Sequence, residues 1–296
     1  MQFHIISRSI LVSLFFLSLL SAQSTEVKKS NQKIIITHPR PEGDTDKRND
    51  YPLKLLTLAL SYSKENYQLN PSKLLMNQGR ALQELEDGNN IDVGWSMSSI
   101  EREKRLLPIR IPIYKGLIGW RLLLIKANSA KKFKKILAID ELKKLQAGQG
   151  HDWPDTKILE SNGFKVTGVV NYESLFKMLE LNRIDYFSRS IAEIGPEEKI
   201  YKKYNILIEP SIAIHYPSVA YFFVNKKNIK LASAVELGLE KAIADGSFDK
   251  LFHKYYDDFL VKSKIKNRRI FELNNPLLPD NVPLSRKNLW VNPRAL

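Results

Sequence analysis

From residue 33 onward, short runs of β-branched and apolar residues alternate with stretches whose apolar side chains recur every three or four positions. Residues 33–37 (KIIIT) form a buried-strand pattern. A polar loop follows, and then Asp50 can cap a helix whose first turn holds Pro52 and whose inner face is Leu53, Leu56, Ala59 and Leu60. A second helix covers 78–87 and stops at Gly88. Strands are expected at 92–95, 119–126, 165–170, 185–187 and 220–224, with helices at 156–162 and 172–181. Another helix carries Leu231, Val235, Leu239, Ala242 and Ile243, and one capped by Ser247 carries Leu251, Phe252 and Tyr255. Strand-helix alternation of this kind argues for an α/β protein with largely parallel sheets. The last thirty or so residues, rich in Pro and Asn, read as an irregular tail.

Length and composition narrow the class. The chain has 296 residues, enough for two lobes, and its 43% hydrophobic content can fill a packed core. The absence of cysteine excludes disulfides, thiolate metal sites, a cysteine nucleophile and a lipid anchor on cysteine. Residues 1–24 read as an export signal: Arg8 supplies the positive end, residues 10–20 are apolar except Ser13 and Ser18, and small Ser21, Ala22 and Ser24 follow. That apolar run is well short of the ~20 residues a bilayer span needs. The formal charge is +14, but the Lys and Arg are spread along the chain, which argues against a nucleic-acid partner. A basic surface facing anionic envelope polymers, or an anionic ligand, is expected instead, with 131–135 (KKFKK) as an exposed face.

The usual enzyme signatures are absent: no GxSxG, HExxH, P-loop or complete GxGxxG. His4, His38, His151, His215 and His253 lack metal-ligand spacing, so neither a metal nor a cofactor is expected. Asp257 and Asp258 read as solvated. The cluster 101–105 (EREKR) after Ser98 and Ser99 fits a solvated helix start with acids at its N-terminus.

Four local patterns, in order, resemble the bacterial solute-binding proteins of family 3, which include the amino-acid receptors of ABC importers. Residues 92–114 (DVGWSMSSIEREKRLLPIRIPIY) are similar to the family's small-residue turn, Thr-Pro-Glu-Arg and Phe-Ser-x-Pro-Tyr segment. Residues 147–150 (AGQG) resemble its Gly-x-Gly turn in the second lobe, 182–185 (NRID) its Gly-Arg-x-Asp, and 242–256 (AIADGSFDKLFHKYY) its closing helix pair. The resemblance spans roughly residues 32–260. It implies the type 2 periplasmic-binding-protein fold: two α/β lobes joined by two crossing strands, with the ligand in the cleft. Lobe 1 would comprise 32–115 plus 219–260, lobe 2 would be 116–218, and 261–296 would pack on lobe 1. The crossings would lie near 114–119, where Gly116 and Gly119 permit unusual backbone angles, and 216–218 around Pro217.

The resemblance also implies a site. Ser96, Met97, Ser98 and Ser99 from one lobe, and Gly148, Gly150 and His151 from the other, would bring backbone N–H groups to a ligand. Arg102 would clamp a carboxylate with its paired donors; Arg105 and Arg121 are alternatives. Trp95 would either wall the cleft or pack in the core. Two departures stand out. The family's ammonium-holding aspartate falls on Ser190, with Arg189 beside it, and 38–42 (HPRPE), including Arg40, replaces an aromatic segment. These departures suggest a ligand with more negative charge, unless Arg189 pairs with Glu193 one turn later. The implied function is a monomeric periplasmic solute-binding protein, not an enzyme. It would capture a small polar or anionic solute, amino-acid-like or a carboxylate, for an inner-membrane ABC permease or a sensor protein. The alternatives are a ligand-free interaction module and a dehydratase-like enzyme using Glu101 or Asp152 as general acid.

Overall fold

The computed structural model describes residues 32–295, so the segment read as an export signal lies outside the described residues. The first lobe begins with strand Lys33–His38, which pairs in parallel with Asn66–Pro71, Ile35 opposite Gln68. The Asp92 amide donates to the Thr37 carbonyl (2.9 Å) and the Thr37 amide to the Asp92 carboxylate (2.7 Å). This pair sets strand Val93–Met97 beside the first. Val93–Met97 runs antiparallel to Ala220–Val224, which also pairs with Leu107–Ile109. Helices Asp50–Ser61 and Ile229–Ala244 cross at Gly238, where any Cβ would collide with the Ala59 carbonyl. Helix Ser247–Ser263 buries Phe248, Phe252, Tyr256 and Leu260 alongside. It begins at Ser247 itself, and Gly246, in the left-handed region, stands at the cap position expected for that serine.

The second sheet runs in the order Arg269–Glu272, Ile212–His215, Trp120–Lys126, Tyr186–Ser190, Gln146–Gly150, Lys165–Val169, and Ile206–Ile208 also pairs with Trp120–Lys126. Leu122 to Ile125 are wholly buried, which explains why that strand reads as an unbroken apolar run. The chain leaves the first sheet after Ile109, enters the second at Trp120, and returns to the first at Ala220. Between these points the Tyr216 amide donates to the Gly119 carbonyl (3.2 Å), and a Cβ on Gly119 would strike the Tyr216 carbonyl.

Two expectations are corrected. The sheets are mixed, not largely parallel: the strands that follow each passage between lobes, Trp120–Lys126 and Ala220–Val224, run antiparallel to their neighbours. They arrive from the opposite lobe, and therefore from the opposite direction to the strands of the local β-α units. The tail does not simply pack on the first lobe. Its strand Arg269–Glu272 extends the second sheet, Ala213 opposite Ile270. Beyond it the tail ties both crossing segments: the Asn275 side chain donates to the Pro217 carbonyl (2.8 Å) and the Val291 amide to the Lys115 carbonyl (2.9 Å). The run of lysines at 131–135 is exposed on helix Ala130–Lys134 around buried Phe133. Among the described residues, no helix is long and apolar enough to cross a membrane, and no cluster of His, Asp and Glu could hold a metal.

Gly238→Ala is expected to destabilise the chain by about 1–3 kcal/mol through overpacking at this helix crossing. Urea unfolding should show a lower midpoint at unchanged slope. An unchanged midpoint would mean that the two helices can separate without cost.

Candidate ligand-binding cleft

Between the lobes lies a cavity of about 100 Å³. One water needs ~10–15 Å³ by the same kind of measure, so there is room for one compact solute. The first lobe contributes the loop after its first strand, the start of helix Gln78–Asp87 and strand Val93–Met97. The second contributes Arg121, Trp153, Asp155, Arg189 and Glu193.

Charge dominates the walls. Arg48 donates from Nε to Asp46 Oδ1 (2.8 Å) and from Nη2 to Asp46 Oδ2 and Glu42 Oε1 (2.8 Å each). Its guanidinium lies 3.7 Å above the Tyr172 ring of the other lobe. Burial alone would raise the Asp46 carboxyl, but Arg48 holds it below its usual value. Arg189 donates from Nε to both Glu197 oxygens (2.9 Å each) and from Nη2 to Glu197 (2.7 Å), with Glu193 at 3.1 Å. Burial opposes its charge, yet the two glutamates hold the guanidinium well above its ordinary value. Arg121, 1% exposed, donates to the Ile118 and Ser188 carbonyls (3.1 Å each), lies 3.1 Å from Asp155, and leaves Nε without a partner among the described residues. Asp155 also accepts the Tyr216 hydroxyl. Glu193 is pushed up by burial despite Arg189.

Of the residues chosen from sequence, Arg40, Trp95, Ser96, Met97, Arg189 and the alternative clamp Arg121 line this cavity. Trp95 meets Phe222 edge-on at 6.2 Å, so it both walls the cleft and packs on the core. Arg189 pairs with Glu193, as the alternative reading required, and with Glu197, while still facing the cleft.

The others lie elsewhere. Arg102 is buried in an adjoining pocket with Ser99 and His151. It donates to Ser96 Oγ, the Met97 carbonyl and Gln78 Oε1 (3.0 Å each for the last two), and across the lobes to the Asp152 carbonyl (3.0 Å). Burial lowers its pKa to about 10, so it stays charged at neutral pH. Beside it the Gly79 amide donates to the Asp152 carboxylate (2.6 Å), joining the second lobe to the start of a first-lobe helix. Arg105 pairs with Glu86. Ser98 donates to Glu103 (2.7 Å), and Ser99 caps helix Ile100–Arg105 by accepting the Arg102 amide (3.1 Å). Gly148 lies beneath Ile184 and Leu175, and Gly150 beneath the Trp153 indole. Ser190 is fully buried and donates to the Leu117 carbonyl (3.1 Å). Glu42, Asp46, Arg48, Tyr114, Trp153, Asp155 and Glu193 were not anticipated as cleft residues. The only local hint was the density of opposite charges at 42–50.

No family model matches the chain, and no curated protein matches it. Solved structures do share its fold. A Salmonella typhimurium periplasmic binding protein with high arginine specificity has a TM-score of 0.58 at 14% identity, covering 76% of this chain and 99% of that one. A histidine kinase sensor domain with similarity to periplasmic binding proteins has 0.56 at 12%, covering 76% and 96%. An ancestral amino-acid-binding protein, a precursor of cyclohexadienyl dehydratase, has 0.56 at 14%, covering 76% and 95%. The chain therefore has the fold of the type 2 periplasmic binding proteins.

Asp152→Ala is expected to loosen the unliganded chain, because it removes a charge-assisted contact of about 1.5–3 kcal/mol across the lobes. Small-angle scattering should show a larger radius of gyration; an unchanged radius would remove this contact from closure. Glu193 gives a pH signature. Its folded value lies above the 4.5 of a free carboxyl, so the protonated form favours folding. That stability is full below about pH 4.5 and is lost as pH rises through the folded value. Glu193→Gln is expected to melt higher than the parent chain at pH 7 and level with it at pH 4. An equal or lower melting point at pH 7 would contradict the assignment.

Proposed function

We propose that this is an exported solute-binding protein that closes its two lobes on one small zwitterionic solute. The carrying observation is the balance of charge in the cleft: Arg40, Arg48, Arg121 and Arg189 face Glu42, Asp46, Asp155 and Glu193. Because the Arg189 fork already holds two glutamates, Arg189 brings no net positive charge. A ligand with both an anionic and a cationic group suits this cleft better than the more anionic ligand suggested by residue 189 alone. Arg189 Nη1 and the second oxygen of Glu193 have no protein partner among the described residues, and they can serve a carboxylate and an ammonium respectively. Trp95, Tyr114 and Trp153 enclose the apolar part. The protein acts as a monomer in the periplasm and hands its solute to an inner-membrane permease or a sensor.

A second reading, an enzyme on this fold, is favoured by one observation: burial keeps the cleft carboxyl Glu193 disposed to hold a proton, as a general acid must. The acids proposed from sequence suit that role less well, since Glu101 is exposed beside Lys157 and Asp152 is tied to Gly79.

Thermal unfolding against amino acids, dicarboxylates, aromatic acids, short peptides and phosphorylated compounds tests the proposal. A ligand at 100 times its dissociation constant should add about 2.7 kcal/mol. Hits are expected among zwitterions, lost in Glu193→Gln, and recovered chemically unchanged. Hits confined to dianions and indifferent to Glu193→Gln would overturn it. Turnover of the hit would establish the enzyme, and no hit at all would favour an interaction module.

A further inference from the structure

A second cavity, of about 400 Å³, shares no lining residue with the cleft. It is roofed by the tail and floored by the two crossing segments, where the chain passes between lobes. The Trp120 ring is stacked on His215 at 4.1 Å, and His215 is held by Glu272 (2.6 Å). Trp290 lies on Gly116, whose φ of 82° and missing side chain make room for the indole, and donates from Nε1 to the Pro283 carbonyl (3.0 Å). Leu278, Val282 and Leu284 complete an apolar wall.

Three features are left over by the packing. Ser218 is 6% exposed, and its hydroxyl is buried without a hydrogen-bond partner. Leu284 is 63% exposed at the rim, an apolar side chain with nothing over it. The Arg294 guanidinium has no ion-pair or hydrogen-bond partner among the described residues, whereas the Glu272 carboxylate at this cavity is already engaged by the His215 ring.

From these we infer that the hinge cavity is a second binding site, distinct from the cleft, for an amphipathic monocarboxylate. Its apolar body lies between Trp120 and Trp290 against the aliphatic wall, and its carboxylate meets Arg294. The size is within the ~300–1,000 Å³ of small-molecule sites, and the lining follows their pattern of apolar walls with few convergent polar groups. A guanidinium selects a carboxylate over an amine of the same chain length.

The test uses octanoate and octylamine, titrated into the full exported chain and followed by tryptophan fluorescence and calorimetry. Octanoate is expected to bind one per chain, at least about tenfold more tightly than octylamine. Arg294→Ala should weaken octanoate about tenfold. Leu284→Asp, at an exposed position that leaves the fold intact, should abolish octanoate binding while preserving the melting temperature and the cleft's response to its zwitterion. Glu193→Gln should leave octanoate affinity unchanged. No octanoate binding at millimolar concentration, equal binding of octylamine, or loss of octanoate in Glu193→Gln would each overturn the assignment. The last outcome would move the ligand into the cleft. Because the readout at Leu284 and Arg294 needs no cleft ligand, failure here leaves the solute-binding proposal standing, and the reverse also holds.

Discussion

The pairing of arginine guanidinium groups with carboxylates around the cleft sets the terms for the rest of the structure. Buried Arg121 and Arg189 and half-buried Arg48 each meet a carboxylate at hydrogen-bonding distance. Removing one partner from such a pair is expected to cost about 3–5 kcal/mol, since it strands a buried charge. That requirement reaches far along the chain. Asp46 and Glu42 come from an irregular loop, Asp155 from the start of helix Pro154–Ser161, and Glu197 from helix Ile194–Ile200. Each balance is struck within one lobe: Arg48 with Glu42 and Asp46 in the first, Arg121 and Arg189 with Asp155, Glu193 and Glu197 in the second.

Closure also engages neighbouring groups. Arg48 stacks on Tyr172, Thr45 donates to Glu173 (3.0 Å), and Asp152 receives the Gly79 amide. Arg102, the clamp expected from the resemblance, has both terminal nitrogens occupied by protein oxygens. Under the proposed function, the carboxylate of the solute therefore falls to Arg189 on the opposite lobe. Behind the cleft, the tail adds a strand to the second sheet and then crosses the hinge, so the two passages between lobes are tied to a segment remote from them in sequence.

Much of the fold is legible in the sequence because period and turn chemistry are local. The all-buried strand Trp120–Lys126 reads as a continuous apolar run, and Gly88 stops its helix in the left-handed region. Strand direction is not legible in the same way, because it depends on which lobe a strand comes from. Nor is a four-residue strand such as Arg269–Glu272 visible within a tail of Pro and Asn. In the cleft, motif matching pointed to Trp95, Ser96 and Met97, which do line it. It missed Arg48 and Asp155 because neither falls in a matched motif: Arg48 pairs with Glu42 and Asp46 inside an irregular loop, and Asp155 meets Arg121 only once its helix packs against that strand. Ser98 and Ser190 are built from the residue types a ligand site uses, yet their hydroxyls serve Glu103 and the Leu117 carbonyl.

The central claim is that the balanced ion cluster between the lobes holds a zwitterion. Native mass spectrometry of the chain, purified without denaturation, tests it most directly. The account predicts one bound compound per chain, carrying both an amine and a carboxylate and released intact on acidification. A chain that retains only a dianion or an uncharged compound in the cleft, or that carries nothing after saturation with a full panel of zwitterions, would contradict it.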